Sequence, residues 1–360
     1  MNRRVLLTGH CGYIGSVMGP ALAARGYEVV GLDTVYYGEA CRFTPELAAI
    51  PTLQKDLRDV TRDDLDGFDA VIHLAALSND PVGSLRESWT LDINWHATVR
   101  LAALAKQAGV RRFLLSSSCS MHGASAAAQV DETTPVHPLT PYGVSKIRAE
   151  EAIRALADDA FSPTFLRNGT VYGASPRLRV DIVLNNLVGW AHTTGRVRLM
   201  TDGSPWRPVI HIEDVCEAFI AVLEAPREKI HNEIFHVGSS RCNYQIRDLA
   251  EIVRKTVPGA TIEYAVTQDA DQRTYIADFS KIERVLPSFT PRWTAEDGAR
   301  QLYDAYREAQ LTEAQFTGSR YIRLKRIAEL LASGELDDTL RWAKRPATPE
   351  PATTSRSSSR

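Results

Sequence analysis

The sequence predicts an α/β fold in which helices cover both faces of a doubly wound parallel sheet. Two observations support this prediction. Short apolar runs alternate with helical stretches of about ten or more residues, and a glycine-rich turn follows the first apolar run. Apolar runs of this kind are typical of parallel strands, which are buried on both faces. Because the chain has 360 residues, more than one average domain, we also expect a smaller second lobe.

The elements follow one another most regularly in the first half of the chain. The strands predicted there lie at 5–8, 28–33, 70–74, 112–116 and 163–167. The helices predicted between them lie at 16–25, 94–106 and 145–156. After about Asn168 the alternation loosens, with further strand candidates at 209–212 and 233–237 and a helical pattern at 321–342.

Composition and charge argue against several classes of partner. The formal net charge is −2 and 24% of residues are charged, so no overall basic character favours nucleic acid or an anionic membrane as a partner. No run approaches the roughly twenty apolar residues of a membrane span, and the first apolar run is too short for a signal peptide. The five cysteines lack metal-ligand spacing and are odd in number, which favours a reducing compartment. We therefore expect a cytoplasmic protein without a metal.

A glycine-rich turn follows the first predicted strand and opens the first predicted helix. Gly9 permits a tight turn, Gly12 lets the main chain approach a diphosphate, and Gly15 allows close packing of helix on strand. Free N–H groups at the helix start attract an anion. This context predicts a Rossmann fold with a bound dinucleotide, which Tyr13 and Ile14 of the same turn also contact. An ordinary tight turn is the alternative.

Asp33 ends the second predicted strand, about twenty residues after the glycines. A carboxylate at this point accepts both ribose hydroxyls and repels a 2′-phosphate, so NAD is favoured over NADP. The alternative is a carboxylate that only caps the next turn. Asp56 follows another predicted strand end and is a candidate adenine contact, or else a solvated turn residue.

Tyr142 and Lys146 lie four residues apart and hence on one face of a helix. A free tyrosine titrates near about pH 10, and a neighbouring ammonium favours the phenolate, so Tyr142 is a usable base near neutral pH. The preceding strand ends in a serine-rich stretch at 116–120 that can supply a hydroxyl donor. The spacing alone occurs by chance in many chains, and its context gives it weight.

These features together resemble the extended short-chain dehydrogenase/reductase family, in particular its NAD-dependent nucleotide-sugar epimerase and dehydratase branch. The matching segments run in family order at 8–15, 56–59, 73–76, 94, 116–118, 141–146, 166–173 and 207–214. By this resemblance Ser118 is the catalytic hydroxyl, Tyr142 the acid/base, and Lys146 the residue that binds the nicotinamide ribose and lowers the tyrosine pKa. The resemblance also implies cofactor contacts at Leu57, Leu74, Ala75, Ala76, Asn94 and Ser116. Packing alone is the alternative for 74–76, and a helix N-cap is the alternative for Asn94.

A nucleotide-diphosphate sugar is the substrate that the resemblance implies. Asn185, Asn186 and Arg207 match family positions that hold the nucleotide and diphosphate, and arginine suits phosphate. Arg273 is a second candidate clamp, unless it pairs with a nearby aspartate. The resemblance implies sugar contacts at Ser118, Cys119, Ser120, Asn168 and Thr170. Many relatives carry asparagine at position 170, so this sugar contact departs from the family.

The residues after Ser118 bear on which reaction follows hydride removal from C4 of the sugar. The 4,6-dehydratases of the family place an Asp-Glu pair there, whereas this chain has Cys119 and Ser120, so we rank epimerase above dehydratase. Some 3,5-epimerising relatives use a proton-transfer cysteine, but it aligns with Ser120, and a buried structural Cys119 is favoured. His122 replaces a common tyrosine, and we favour a satisfied loop residue over a pocket residue.

The function predicted from the sequence is that of an NAD-dependent nucleotide-sugar epimerase acting through a transient 4-keto sugar. The alternatives are a dehydratase or 4-keto reductase of the same family, and a non-catalytic NAD-binding sensor or structural subunit. The intact set of Ser118, Tyr142 and Lys146 argues against the last of these. The resemblance also implies a homodimer formed by the helices that carry Asn94 and Tyr142. An apolar stripe at Ala97, Leu101, Leu104 and Ala105 fits that interface or, equally, the chain's own sheet.

The domain organisation follows from these assignments. We assign residues 1–167 to the NAD-binding Rossmann domain, to which residues 207–225 return. Residues 168–206 and 226–345 form the smaller C-terminal α/β lobe, which binds substrate and includes the last helices. Residues 346–360 have almost no apolar bulk, which predicts a disordered tail.

Overall fold

The computed structural model describes residues 4–46, 48–78, 85–123, 129–264 and 273–343. Its strands are β1 (Arg4–Thr8), β2 (Glu28–Asp33), β3 (Thr52–Gln54), β4 (Ala70–His73), β5 (Arg112–Ser118), β6 (Ser162–Asn168), β7 (Thr170–Tyr172), β8 (Arg196–Leu199), β9 (Trp206–His211), β10 (Ile234–Val237), β11 (Asn243–Gln245) and β12 (Thr261–Tyr264). Seven of them form a central sheet in the order β10-β6-β5-β4-β1-β2-β3, and all neighbouring pairs are parallel. The strand order reverses between β1 and β4, as in a Rossmann fold, and ligands bind at such a point.

Helices cover the sheet and build the smaller lobe. They are α1 (Gly15–Ala24), α2 (Glu87–Leu91), α3 (Ala97–Gln107), α4 (Pro141–Arg154), α5 (Val183–Thr194), α6 (Ile212–Glu224), α7 (Arg227–Ile230), α8 (Ile246–Thr256), α9 (Ser280–Val285), α10 (Ala295–Glu308), α11 (Glu313–Phe316) and α12 (Arg323–Ala332). A π-helical turn at Asp92–His96 leads directly into α3. None of the helices among the described residues combines the length and the apolar character that crossing a membrane requires.

The apolar runs of the central strands are explained by burial on both faces. Leu6, Val71 and Phe113 face one hydrophobic core, which α3 covers through Leu101. The residues that follow them in each strand face the opposite core, which α6 covers through Phe219. Side chains alternate between the two faces with a period of two, so both sets must be apolar. The predicted doubly wound Rossmann fold is therefore confirmed.

The smaller lobe contains the two remaining sheets. In one, β9 pairs in parallel with β7 and antiparallel with β11, and in the other β8 pairs in parallel with β12. Helices α5, α8 and α10 pack on one another and on these strands. The lobe thus faces the carboxyl-end side of the central sheet through β7, the strand that follows β6.

Two sequence-based assignments need correction. Strand β10 falls within the range 226–345 assigned to the smaller lobe, yet it pairs with β6 and is the seventh strand of the central sheet, because α6 packs along β5 and β6 and returns the chain there. The helix predicted at 321–342 is shorter, since α12 ends at Ala332 and Gly334 adopts a positive φ of 70°. The predicted tail at 346–360 lies outside the described residues, and the other domain boundaries remain a prediction.

Candidate active site

A cavity of about 1030 Å³ opens where the central sheet meets the smaller lobe. Its wall includes the glycine turn after β1 and residues at the carboxyl ends of β2, β4 and β5. Binding sites for single small ligands usually measure about 300–1,000 Å³. The cavity therefore lies at the upper end of this range, and it is found at the point where ligands bind in doubly wound sheets.

The glycine turn leaves no room for side chains. Gly9 adopts a φ of +73°, and a Cβ there would lie 2.7 Å from the main-chain nitrogen of Ala75. A Cβ on Gly15 would lie 2.3 Å from the carbonyl oxygen of Gly9. The cavity wall includes all five predicted residues of the turn, Gly9, Gly12, Tyr13, Ile14 and Gly15. This exposed main chain at the start of α1 fits the diphosphate of a dinucleotide.

Asp33 is oriented by two main-chain donors. Its carboxylate oxygens accept hydrogen bonds from the N–H groups of Cys11, at 3.1 Å, and Val35, at 2.7 Å. Val35 adopts a φ of +62°, which is unfavourable for a β-branched residue. The positioned carboxylate lines the cavity, where it fits the ribose of NAD.

His10, Cys11 and Asp33 bring three potential metal-ligand atoms within 4.8 Å of one another. Asp33 and His10 already have partners within the protein, because the Asp33 carboxylate accepts from the Cys11 and Val35 N–H groups and His10 Nε2 lies 2.8 Å from Thr52 Oγ1. Burial, followed by the charge of Asp33, raises the pKa of Cys11 to about 12. Because Asp33 lines the cavity, we assign the cluster to the cofactor site.

Asp56 lines the cavity and is held by Arg58. Its carboxylate accepts from Arg58 Nη2 at 2.7 Å, Arg58 Nε at 2.9 Å and the Arg58 N–H at 2.8 Å. Burial acts to raise the pKa of Asp56, but these hydrogen bonds and the charge of Arg58 lower it overall. The remaining predicted cofactor contacts on the cavity wall are Leu57, Leu74, Ala75, Ala76 and Ser116.

Asn94 is buried and is not part of the cavity wall, so the structure does not place it with the other predicted cofactor contacts. Its side chain accepts from the Leu77 N–H at 2.8 Å and donates to the Leu77 carbonyl at 3.0 Å. The N-cap alternative also fails, because Asn94 lies inside the π-helical turn Asp92–His96. Asn94 instead fixes the loop after β4, the loop that carries the cavity residues Leu74 to Ala76.

The catalytic candidates Ser118, Tyr142 and Lys146 all line the cavity. Tyr142 lies in the first turn of α4, which Thr140 caps by accepting from the Gly143 N–H at 3.2 Å. Lys146 Nζ donates to the Ser116 carbonyl at 2.7 Å and lies 5.7 Å from the centre of the Tyr142 ring. Burial lowers the pKa of Lys146 to about 8, against the opposing charge of Glu150.

Ser118 is positioned by its neighbour at the end of β5. Its Oγ accepts from the Ser120 N–H at 3.1 Å and donates to Ser120 Oγ at 2.8 Å. Both serines line the cavity, as Tyr142 does. A hydroxyl donor therefore lies in the same cavity as the phenol, as the serine-rich strand end suggested.

The cavity wall also carries polar and cationic side chains. The predicted substrate contacts found on it are Asn168, at the end of β6, and Thr170, Asn186, Arg207 and Arg273. Arg207 Nη1 donates to the carbonyl oxygens of Trp206, at 2.8 Å, and of Arg273. This places the two arginines next to each other, and guanidinium groups suit a diphosphate.

Two predicted substrate contacts need correction. Asn185 is fully buried behind the wall, where it bonds to the main chain of Gly173 and Arg179 and to the hydroxyl of Tyr13. Adjacent helical residues point in different directions, so Asn186 faces the cavity and Asn185 does not. Cys119 is also fully buried, its Sγ donates to the Arg167 carbonyl at 3.1 Å, and burial raises its pKa. These properties agree with a structural cysteine.

His122 likewise lies away from the cavity. It is fully buried, and its Nε2 lies 3.1 Å from Nε2 of His236. Burial lowers the pKa of His122 to about 4, so this imidazole is neutral at physiological pH. Its ring packs against His236 and Tyr275 away from the cavity, so a pocket role is not supported.

Several cavity residues were not identified from the sequence. The wall also includes Tyr36, Tyr37, Arg179 and Arg323. The two tyrosines follow closely after Asp33, and that position was the signal that could have found them. Nothing near Arg323 in the sequence indicates a role at the site, because it reaches the cavity only through the fold.

Comparison with known proteins points to one family. A profile of the NAD dependent epimerase/dehydratase family matches residues 5–238. The UDP-glucose 4-epimerase of Corynebacterium glutamicum is 29% identical over 310 residues, which cover 81% of this chain and 92% of the relative. The dTDP-D-glucose 4,6-dehydratase of Homo sapiens is 25% identical over 329 residues, which cover 85% and 90% of the two chains.

Solved structures show the same similarity. The UDP-glucuronic acid 4-epimerase from Bacillus cereus, in complex with UDP-glucuronic acid and NAD, superposes with a TM-score of 0.73. It is 25% identical to this chain, and the match covers 85% of this chain and 99% of that one. The family match spans the glycine turn, Asp33 and the Tyr142–Lys146 pair, so the chain belongs to the NAD-dependent epimerase/dehydratase family and NAD is its cofactor.

Proposed function

We propose that this protein is a nucleotide-sugar 4-epimerase that works through a transient 4-keto sugar. The supporting observation is that Ser118, Tyr142 and Lys146 share one cavity with the glycine turn and with the adjacent Arg207 and Arg273. A dinucleotide site and a cationic site thus flank a phenol, an ammonium and a hydroxyl. This arrangement suits proton removal from a sugar alcohol beside a bound nicotinamide.

NAD supplies a hydride acceptor and donor when it is bound at the glycine turn. Tyr142 takes the proton from the C4 hydroxyl of the sugar and later returns it. The Lys146 ammonium stabilises the tyrosine phenolate that this step requires, because an adjacent positive charge favours the ionised form. The hydrogen bond from Lys146 Nζ to the Ser116 carbonyl, at 2.7 Å, holds that charge in place.

Ser118 stabilises the sugar oxygen as charge develops on it. Its Oγ is fixed by the Ser120 N–H, while its own proton points to the Ser120 hydroxyl. A small rotation of the hydroxyl redirects that proton to the sugar oxygen. Preorganised donors of this kind stabilise the transition state more than the ground state.

Arg207 and Arg273 hold the diphosphate of the nucleotide sugar, with Asn186 nearby on the same wall. Anchoring the nucleotide leaves the sugar ring as the part that can turn. A ring that turns over between the two proton transfers at Tyr142 would present its other face to a nicotinamide bound at the glycine turn, which would account for inversion at C4 without net oxidation or reduction of the sugar.

The residues after Ser118 favour epimerisation over dehydration. Dehydration needs a base for a second carbon-bound proton and an acid for the departing hydroxyl. Cys119 is fully buried with a raised pKa, and Ser120 is a neutral hydroxyl bonded to Ser118. Neither side chain is suited to proton transfer at neutral pH. Dehydration, the activity in the name of the human relative, remains the second candidate.

The test is incubation of the protein with UDP-glucose, UDP-glucuronic acid and dTDP-glucose in D₂O, followed by NMR of the products. We expect a C4 epimer of at least one sugar without solvent deuterium at C5. Tyr142→Phe is the control and should form no product. A 6-deoxy-4-keto or unsaturated sugar would indicate a dehydratase. Equal behaviour of wild type and Tyr142→Phe would indicate a binding protein.

We also propose that the protein is a homodimer, as the family resemblance implies. Ala97, Leu101 and Ala105 are buried in the chain's own core, and Leu104 is partly buried against it. A dimer formed through α3 and α4 would therefore use mainly other side chains of these helices. Sedimentation velocity at micromolar concentration tests this, and a strictly monomeric species would overturn the proposal.

A further inference from the structure

The C-terminal strap, which we define as residues 323–343, lies against the adenosine side of the cavity. Trp342 Nε1 donates to the Thr34 carbonyl at 2.7 Å, and the Tyr36 hydroxyl donates to the Leu340 carbonyl. Arg58 Nη1, from the Asp56 loop, donates to the Thr339 carbonyl at 2.7 Å. Thr34 and Tyr36 themselves line the cavity. The strap is therefore part of the structure that shapes the cofactor end of the site.

Among the described residues of the strap, Arg323 alone lines the cavity. It is only 6% exposed. Its Nη2 donates to the Arg177 carbonyl at 3.2 Å, and its guanidinium carbon lies 3.8 Å from the centre of the Tyr37 ring. Stacking on an aromatic ring fixes the plane of a guanidinium and leaves its edge free to donate hydrogen bonds.

Arg323 adds a buried positive charge to a cavity wall that also carries the partly buried Arg179. Arg179 lines the same cavity, and after burial itself the charge of Arg179 is the strongest influence that lowers the pKa of Arg323. Arg179 pairs with Asp181 at 2.6 Å, whereas no ion pair of Arg323 with a carboxylate occurs within the described ranges. A buried cation is costly unless an anion compensates it. The cavity is therefore prepared for an anionic group at this point.

The position of Arg323 indicates which anion it binds. A dinucleotide that reaches from Asp33 to Tyr142 must place its diphosphate between them. Arg323 stacks on Tyr37, which follows Asp33 by four residues, and Arg179 lies close enough to Tyr142 to interact with its charge. We propose that Arg323 binds the diphosphate of NAD together with the glycine turn, so that the C-terminal strap is a component of the cofactor site.

A nucleotide sugar also carries a diphosphate, and a guanidinium recognises both ligands by the same chemistry. The observations favour NAD, because the strap bonds to Thr34 and Tyr36, which belong to the segment after Asp33. The adjacent Arg207 and Arg273, on the same cavity wall, are already the proposed contacts of the nucleotide-sugar diphosphate. Titration with UDP therefore distinguishes a contact with the NAD diphosphate from a contact with the nucleotide-sugar diphosphate.

The experiment is calorimetric titration of the full-length protein, freed of bound nucleotide with charcoal, with NAD, ADP-ribose, adenosine and UDP. Arg323→Met should weaken the binding of NAD and of ADP-ribose by about 10–100-fold, as expected for lost hydrogen bonds to a charged group. The affinities for adenosine and UDP should change less than about twofold, since neither probe carries the NAD diphosphate. Arg323→Lys should fall between wild type and Arg323→Met. The matched control is Arg320→Ala, an exposed neighbour whose guanidinium donates to the Arg42 carbonyl, and it should bind all four probes normally.

Three results would overturn the proposal. NAD affinity of Arg323→Met within twofold of wild type would exclude a diphosphate contact. Equal losses for adenosine and NAD would make Arg323 a structural residue of the strap, and a loss confined to UDP would assign it to the nucleotide sugar. If Arg323→Met does not fold, hydrogen exchange of the wild-type protein tests the proposal instead. ADP-ribose should protect residues 323–332 more than adenosine does, and equal protection would overturn the proposal.

Discussion

The ammonium nitrogen of Lys146 lies 5.7 Å from the centre of the Tyr142 ring. The two residues are one helical turn apart on α4 and are fixed by different neighbours. Lys146 donates to the Ser116 carbonyl, and the turn that carries Tyr142 is capped by Thr140. With a pKa of about 8, Lys146 is mainly protonated at neutral pH. A positive charge therefore lies next to the phenol where the chemistry is proposed to occur.

Replacing Lys146 by Met removes this charge. We expect kcat to fall by about 10²- to 10⁴-fold, the usual contribution of acid–base catalysis, and the acid limb of the pH profile to move to higher pH. The acid limb moves because the phenolate loses the neighbouring cation that stabilises it. Steady-state rates across pH measure both effects, with the exposed Lys255→Met as control. A rate within threefold of wild type at every pH would show that the ammonium does not assist Tyr142.

Replacing Cys119 by Ala should leave the activity within about threefold of wild type. The thiol is buried and donates to the Arg167 carbonyl, so its loss should cost about 1 kcal/mol of stability through the missing hydrogen bond. Product formation and urea unfolding of the variant check the two statements. A hundredfold loss of activity in a folded variant would instead identify Cys119 as a proton-transfer residue.

The buried ion pair between Glu150 and Arg167 should be important for stability. Arg167 Nη2 lies 2.8 Å from Glu150 Oε2, and the side chains are 8% and 4% exposed. Glu150→Gln leaves the guanidinium buried without its counter-charge, so we expect a loss of about 3–5 kcal/mol in the free energy of unfolding. The double variant Glu150→Gln/Arg167→Met should recover part of that loss. Urea denaturation measures this, and a loss below about 1 kcal/mol in the single variant is incompatible with the prediction.

Buried neutral histidines should make the protein sensitive to acid. His73 lies between Thr8 Oγ1, at 2.6 Å, and Thr98 Oγ1, at 2.8 Å. Burial, with the charge of Lys146, lowers the pKa of His73 to about 3. The fold therefore favours the neutral imidazole, and its contribution is complete above the unfolded pKa of about 6.5. This contribution to the free energy of unfolding is lost progressively as the pH falls from about 6.5 towards the folded pKa. At about pH 5 the loss should be about 2 kcal/mol.

The measurement is urea denaturation of wild type and His73→Gln at neutral pH and at about pH 5. Glutamine keeps a donor and an acceptor for the two threonines but does not titrate. We therefore expect the variant to lose less stability between the two pH values than wild type does. Equal losses in the two proteins would show that His73 does not contribute to acid sensitivity.

The parts of the site that could be predicted from the sequence are those with a local signal. The glycine turn, Asp33 and the pair of Tyr142 and Lys146 each combine a characteristic spacing with a position beside a strand or on a helix. Their chemistry constrains the residue type and the local structure together. For this reason the Rossmann fold and the NAD site could be predicted from the sequence.

Other features depend on details that no local pattern encodes. Asn185 and Asn186 are chemically identical, and only the rotation of α5 decides which one faces the cavity. Asn94 appeared to be a helix start, but the π-helical turn at Asp92–His96 directs its amide to Leu77. Arg323 reaches the cavity because the strap, far away in sequence, packs against the segments after β2 and β3. Such contacts follow from tertiary packing and could not be predicted from spacing.

The most direct test of the proposed C4 hydride transfer follows a deuterium placed on C4 of the nucleotide sugar that the protein turns over. Because the hydride removed from C4 returns to the same carbon, the C4-inverted product should retain the deuterium, with no net accumulation of reduced nicotinamide. Mass spectrometry and NMR of the product give both the isotope and the configuration. A C4-inverted product that has exchanged its deuterium for a solvent proton would contradict the mechanism.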